Sequence, residues 1–182
     1  MNYILLGKGF EEMEAIAVVD ILRRGGVEIR TAGIGGETVE SAHGIRMQAD
    51  VRIENVDPAD CELVILPGGL GGVESIMNSP DAISLILDTY HRGQKVAAIC
   101  AAPMVLGKLG LLKGKQAVIY PGMENEIPDA VCLPDEKAVL DGNVLTGQGP
   151  GACIRFALAV LAWLAGNEAA EAVRAQLHYG HC

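Results

Sequence analysis

The sequence has few cations, no long apolar run and no closely paired cysteines, and each of these shortages excludes a class of function. Its 182 residues include 14 Lys and Arg against 23 Asp and Glu, which gives a net charge of −9. Nucleic acids and anionic membrane surfaces are bound by clustered Lys and Arg, so neither is expected as a partner. No apolar run reaches the ~18 residues that a membrane-spanning helix needs.

The cysteines predict reduced thiols and not a disulfide framework or a metal site. They stand at positions 61, 100, 132, 153 and 182, and no two of them form a Cys-x-x-Cys pair. Their odd number, and the lack of a basic leader before the first apolar run, predict a cytoplasmic protein. The segment 178–182 contains His and Cys, but no partner cluster accompanies it, so no metal is expected there.

The apolar pattern predicts one α/β domain over residues 1–182, because half of the residues are hydrophobic and no linker interrupts them. Continuous apolar strands that alternate with helical patterns are typical of a mostly parallel sheet with helices on both faces. The predicted strands lie at about 2–7, 27–32, 62–67, 95–100 and 138–146. A hairpin is expected within 37–56, and an irregular Gly-rich stretch before a helix at 80–92.

Cys100 is the first candidate for chemistry, because it ends an apolar run and precedes a helical pattern that opens with Pro103. Proline suits the first turn of a helix, since the N–H that it lacks has no partner there. Cys100 is therefore predicted at a strand-to-helix elbow, where unpaired N–H groups and the helix dipole favour a thiolate. The alternative is a small buried core residue.

Two other predicted strands also end in unusual residues. The first is followed by Gly7-Lys8-Gly9 and an acidic helix start, and the third by Pro67-Gly68-Gly69, whose missing side chains let backbone N–H groups face a ligand. Ligands of open parallel sheets bind at the carboxyl ends of the strands. A thiol, a carboxylate and N–H donors share one pocket if these three ends adjoin.

Glu14 is the candidate among the acids that begin the first helix. It lies off the polar strip of that helix, which consists of Asp20, Arg23 and Arg24. A carboxyl turned toward an apolar sheet has a raised pKa, and in its neutral form it donates a hydrogen bond to a thiolate. An ordinary first-turn acid that complements the helix dipole is the alternative, and it is the favoured interpretation of Glu11 and Glu12.

Two histidines and one further glycine-rich segment are weaker candidates for function. His43 is predicted on the hairpin and His91 at the exposed end of a helix, both in contact with solvent. The segment 33–36, Gly-Ile-Gly-Gly, is not followed by a helical pattern, which makes it a weak candidate for a phosphate-binding loop.

Four stretches in this order resemble the DJ-1/ThiJ/PfpI superfamily, and the resemblance covers nearly the whole chain. They are 9–14 (GFEEME), 64–69 (VILPGG), 97–103 (AAICAAP) and 146–151 (TGQGPG). The resemblance implies a flavodoxin-like three-layer sandwich, a homodimer, a nucleophilic Cys100 and a catalytic Glu14. It also implies oxyanion donors at the backbone N–H groups of Gly69 and Ala101, with no metal and no other cofactor.

Departures from the pattern of the superfamily narrow the choice of branch. Ala101 stands where PfpI-like peptidases have a His after their cysteine, and the late His-x-Glu pair of class-I glutamine amidotransferases does not occur. The DJ-1/ThiJ branch is the closer match, although His43 stands where it often has Arg, and Tyr120 lies near a place where it has His.

The resemblance implies a cofactor-independent cysteine enzyme that acts on a small-molecule carbonyl substrate, a 2-oxoaldehyde such as methylglyoxal. The reaction is a glyoxalase III-type conversion to a 2-hydroxy acid, or deglycation of adducts, through a Cys100 hemithioacetal with Glu14 as general acid/base. The alternative is a redox-sensing or chaperone-like stress protein that uses oxidation of Cys100 without turnover. A thiol enzyme for another small carbonyl or acyl group is a third option. The same residues serve the first two hypotheses.

Overall fold

The computed structural model describes residues 1–180 and places eleven strands and six α-helices in them. The strands are β1 (Asn2–Leu6), β2 (Ile29–Gly33), β3 (Thr38–Glu40), β4 (Arg46–Gln48), β5 (Val51–Arg52), β6 (Leu63–Leu66), β7 (Lys95–Ile99), β8 (Gln116–Ala117), β9 (Val131–Cys132), β10 (Ala138–Asp141) and β11 (Val144–Gly147). The helices are α1 (Glu12–Arg24), α2 (Leu70–Met77), α3 (Pro80–His91), α4 (Pro103–Lys108), α5 (Cys153–Ala165) and α6 (Asn167–Gln176).

A seven-stranded sheet forms the centre of the molecule, in the order β10-β11-β7-β6-β1-β2-β5. Every neighbouring pair is parallel except the edge pair β10 and β11. β1 and β6 are neighbours near the middle of this order, and the chain adds further strands on both sides of them. β7 lies next to β6, so β1, β6 and β7 are three consecutive strands of the sheet. Their carboxyl ends therefore meet at one edge of the sheet, where ligands of open α/β sheets bind.

Helices cover both faces of this sheet, because successive strand residues point to opposite sides. In β1, Ile4 and Leu6 pack into one core cluster with α1, α5 and α6, whereas Leu5 packs into the other with α2, α3 and α4. The arrangement is the three-layer α/β sandwich that the sequence predicts. None of the helices in residues 1–180 is long and apolar enough to cross a membrane.

Helix α1 is positioned by signals that the sequence carries at both of its ends. Glu11 is its N-cap, and Gly25 and Gly26 follow its last residue, with φ of +74° at Gly26. The buried residues of its core face, including Ala15 and Val18, recur at helical spacing. This register turns Glu14 inward as well.

Two predictions of local structure are wrong. The strand predicted at 138–146 is the hairpin β10–β11, whose turn contains Gly142 with φ of +61°. The Gly-rich stretch predicted as irregular contains α2, in which Gly71 and Gly72 lower the helix propensity. Packing explains the glycines, since a Cβ at Gly72 would lie 2.7 Å from Cα of Phe10. Close contact between α2 and the loop after β1 outweighs the weak propensity.

The predicted hairpin within 37–56 is confirmed as the antiparallel pair β3–β4. It is held over the loop after β1 by two backbone hydrogen bonds: Gly9 donates to Glu40 O and Ala42 donates to Phe10 O, both at 2.8 Å. This contact brings the turn that contains His43 close to the start of α1. Of the C-terminal segment, His181 and Cys182 lie outside the described residues.

Candidate active site

Cys100 follows directly after β7 and has a φ of +64°, in the left-handed region that residues with side chains seldom adopt. Its backbone is hydrogen-bonded on both sides: its N–H donates to Gly147 O at 3.0 Å, and its carbonyl accepts from Tyr120 N–H at 2.9 Å. Such strain persists only where the surroundings hold it in place. The predicted elbow is thus confirmed, and Cys100 is 8% exposed there.

Glu14 lies in the first turn of α1 with none of its surface exposed. Its Oε2 accepts a hydrogen bond of 2.7 Å from Gly68 N–H, and its carboxyl also interacts with the Cys100 thiol. Its Oε1 has no hydrogen-bond partner within residues 1–180. The inward orientation predicted for Glu14 is confirmed, and the carboxyl lies beside the sulfur.

Burial raises the pKa of the Glu14 carboxyl to about 7, although Gly68 N–H and the Cys100 thiol act in the opposite direction. The charged form loses its hydration in the buried site, and the two hydrogen bonds only partly replace it. Glu14 therefore exchanges a proton near neutral pH, as a general acid or base of this pH range must.

The prediction that Cys100 is mostly ionised at rest is wrong. Burial and the negative charge of Glu14 raise the pKa of the Cys100 thiol to about 12, and the N–H groups of Ala101 and Gly69 lower it by less. Helix α4 contributes little because it has only six residues and starts at Pro103. Cys100 and Glu14 form a coupled pair, and the resting sulfur keeps its proton.

Gly69 and Ala101 belong to the same group of atoms, because the backbone N–H of each interacts with the Cys100 sulfur and lowers the pKa of its thiol. Gly69 has a φ of +81°, and a Cβ on it would lie 2.3 Å from Gly9 O. The close approach of the loops after β1, β6 and β7 therefore depends on glycine here. The structure brings together all four residues predicted for the site, Cys100, Glu14, Gly69 and Ala101.

Gly68 is a residue of this site that sequence reasoning did not single out, although Pro67-Gly68-Gly69 was the signal for it. A Cβ on Gly68 would lie 2.5 Å from Cβ of Cys100 and 2.7 Å from Oε2 of Glu14. The absence of a side chain is what allows the thiol and the carboxyl to meet across this backbone.

Replacing Gly68 with alanine is expected to destabilise the fold by about 1–3 kcal/mol, as overpacking of a buried site does. For a domain of this size the loss corresponds to a fall in Tm of roughly 2–4 °C per kcal/mol, which thermal unfolding measures. Gly151→Ala is the matched control, because nothing lies within 4 Å of the added Cβ. Equal Tm values for the two variants would show that the contact is not tight.

Cys61, Cys132, Cys153 and His43 lie outside this group of four. Burial raises the pKa of Cys61, Cys132 and Cys153, which agrees with packing roles. His43 lies on the hairpin turn with 71% of its side chain exposed, as predicted, and its Nδ1 lies 2.8 Å from Oε1 of Glu12. That contact between the hairpin and α1 was not predicted.

Comparisons with known proteins agree with the fold and the motifs. The sequence profile of the DJ-1/PfpI family matches residues 2–163. Protein dj-1beta of Drosophila melanogaster is 38% identical over 172 residues, which cover 93% of this chain and 92% of that protein. The crystal structure of Drosophila DJ-1beta, at 36% identity, covers both chains completely with a TM-score of 0.94.

A second solved relative is the oxidized DJ-1 of Toxoplasma gondii, which is 30% identical, covers 98% of both chains and has a TM-score of 0.92. Profile, sequence and structure agree over nearly the whole length of the chain. This protein is therefore a member of the DJ-1/PfpI family.

Proposed function

We propose that this protein is a cofactor-independent enzyme that acts on small 2-oxoaldehydes such as methylglyoxal, either free or as adducts on proteins. The observation that carries the proposal is the convergence of the Cys100 thiol, the Glu14 carboxyl and two backbone N–H donors in one buried site. Nucleophile, acid/base group and oxyanion donors are the parts that carbonyl addition requires.

The first step is addition of the sulfur to the aldehyde carbon. Ionised Glu14 takes the proton of the Cys100 thiol as the S–C bond forms, so no free thiolate has to accumulate at rest. The N–H groups of Gly69 and Ala101, which interact with the Cys100 sulfur, would donate to the oxygen that becomes negative. One such donor stabilises the transition state by roughly 2.7–4 kcal/mol in comparable sites. Glu14 then returns the proton to give a neutral hemithioacetal.

The second step moves hydrogen between the two carbons of the substrate. Glu14, ionised again, removes the proton from the carbon bound to sulfur, which gives an enediol, and delivers it to the neighbouring carbon. The product is a thioester of the 2-hydroxy acid, and water cleaves it to release the acid and the thiol. Addition, proton transfer and hydrolysis balance without an outside oxidant or reductant. A carboxyl with a pKa of about 7 suits both directions of transfer.

A second candidate function is redox sensing through Cys100, and it is supported by the relative from Toxoplasma gondii that was solved in an oxidized form. Peroxide would convert the thiol to sulfenic and then sulfinic acid, with one molecule of peroxide reduced to water at each stage. Glu14 in its neutral form would donate a hydrogen bond to the sulfinate. The high pKa of the Cys100 thiol opposes rapid oxidation, since the thiolate is the reactive form.

Two measurements on the purified full chain separate these functions. With methylglyoxal as substrate, we expect steady formation of D- or L-lactate, detected with stereospecific lactate dehydrogenases. Intact-mass analysis after mild peroxide reports a gain of about 32 Da for a sulfinic acid. A mass gain at Cys100 together with no lactate of either hand would overturn the enzyme proposal in favour of the sensor.

A further inference from the structure

A second cluster of chemically active side chains lies where the β3–β4 hairpin turn meets the start of α1. Glu11, Glu12 and His43 each offer one ligand atom, and these atoms all lie within 4.8 Å of one another. The two glutamates are only 9% and 7% exposed, whereas the imidazole reaches solvent. The catalytic proposal assigns these three side chains no role.

The carboxylate of Glu12 is only partly satisfied by its surroundings. Its Oε1 lies 2.8 Å from Nδ1 of His43, and the Ser41 side chain also interacts with the carboxylate, but its buried Oε2 has no hydrogen-bond partner within 3.5 Å among residues 1–180. A buried carboxylate oxygen without a partner costs free energy that a bound cation would recover. Glu11 uses one oxygen to cap α1, since its Oε2 accepts from Glu14 N–H at 2.9 Å.

The negative charge of this cluster also favours a bound cation. Two buried carboxylates stand at adjacent positions, and within residues 1–180 neither forms an ion pair with Lys or Arg. The N-terminus of α1 supplies the equivalent of only about half a positive charge. A dication would neutralise the rest.

We propose that Glu11, Glu12 and His43 bind a divalent transition metal of the Zn²⁺ type, with water in the remaining coordination positions. Two carboxylate oxygens and one imidazole nitrogen are a donor set that suits a borderline cation better than Mg²⁺ or Ca²⁺, which prefer oxygen alone. Three protein ligands leave an open position that exchanges with solvent. The inference is independent of the proposed function.

Metal binding requires the three ligand atoms to move closer together. Ligands about 2.0–2.2 Å from a tetrahedral ion lie roughly 3.3–3.6 Å apart, whereas the ligand atoms here lie within 4.8 Å of one another, so the widest pair has to close by up to ~1.5 Å. His43 can supply that movement because 71% of its side chain is exposed. The backbone hydrogen bonds of Gly9 and Ala42 keep the turn in place meanwhile.

Metal titration of the chelator-treated full chain tests this site. With Zn²⁺ in calorimetry, we expect one ion per wild-type chain and at least about tenfold weaker binding for His43→Asn, since even outer-shell changes at metal sites cost 10–100-fold. Glu12→Gln, which keeps the shape of the side chain, is expected to weaken binding similarly. His178→Asn is the matched control for loss of an imidazole and should bind like wild type.

A Co²⁺ spectrum identifies the ligand atoms. The proposed site gives the weak visible bands of a nitrogen and oxygen environment, and the Cys100→Ser variant should retain them. No binding by wild type, undiminished binding by His43→Asn, or loss of binding in His178→Asn instead would overturn the proposal. An intense ultraviolet thiolate-to-cobalt band that disappears in Cys100→Ser would overturn it too, because the metal would then lie on the sulfur.

Discussion

Replacing Cys100 with alanine is expected to reduce lactate formation from methylglyoxal by at least ~10³-fold, to the level of the solution reaction. The proposed covalent intermediate cannot form without the sulfur, and removal of a nucleophile from a catalytic unit costs far more than removal of a single donor. The measurement is initial-rate formation of lactate at saturating methylglyoxal. The fold should survive, because alanine is smaller than cysteine and fits in its place. The hydrogen bonds that hold position 100 are made by its backbone and not by the sulfur.

Cys132→Ala is the control for loss of a thiol elsewhere in the chain. Cys132 is partly exposed in β9 and lies outside the group of four residues around Cys100. Its alanine variant is expected to keep the wild-type rate. Turnover that survives in Cys100→Ala would refute the hemithioacetal scheme.

Replacing Glu14 with glutamine is expected to lower kcat by about 10²–10⁴-fold, the usual contribution of a positioned general acid or base. The amide oxygen can still accept the hydrogen bond from Gly68 N–H, so the site keeps its shape while it loses a group that takes up and releases a proton. A loss of kcat with little change in stability is therefore the expected pattern.

The same variant tests whether the ionisation of Glu14 causes the expected rise of kcat/KM with pH. Because the base in the first step is the ionised carboxyl, wild-type kcat/KM should be low in acid and rise as Glu14 ionises around pH 7. This rising limb should be absent in Glu14→Gln and present in Glu74→Gln, which changes an exposed acid on the neighbouring helix α2. A limb near pH 7 that persists in Glu14→Gln would assign the titration to another group.

Local patterns were enough to predict the elbow and the inward face of α1. Cys100 stands between a buried strand and a proline-led helix, and Glu14 shares its helical face with Val18, so each inference needs only a few neighbouring residues. The meeting of the two side chains follows from the strand order, which places β1, β6 and β7 side by side.

The protonation of Cys100 could not be predicted in the same way. A helix start favours a thiolate, but the burial of the sulfur and the charge of Glu14, 86 positions away in the sequence, act more strongly in the other direction. The Glu12–His43 contact joins residues 31 positions apart and depends on how the hairpin folds over α1. These effects arise from the packing of residues that are distant in the sequence, so no local sequence pattern predicts them.

Only 8% of Cys100 is accessible, so the proposed reaction would favour a carbonyl at the end of a slender chain over one on a broad folded surface. If adducted proteins are attacked at all, the lesions within reach are those on long side chains such as lysine and arginine, or on frayed termini. Compact substrates of three or four carbons would be the least restricted.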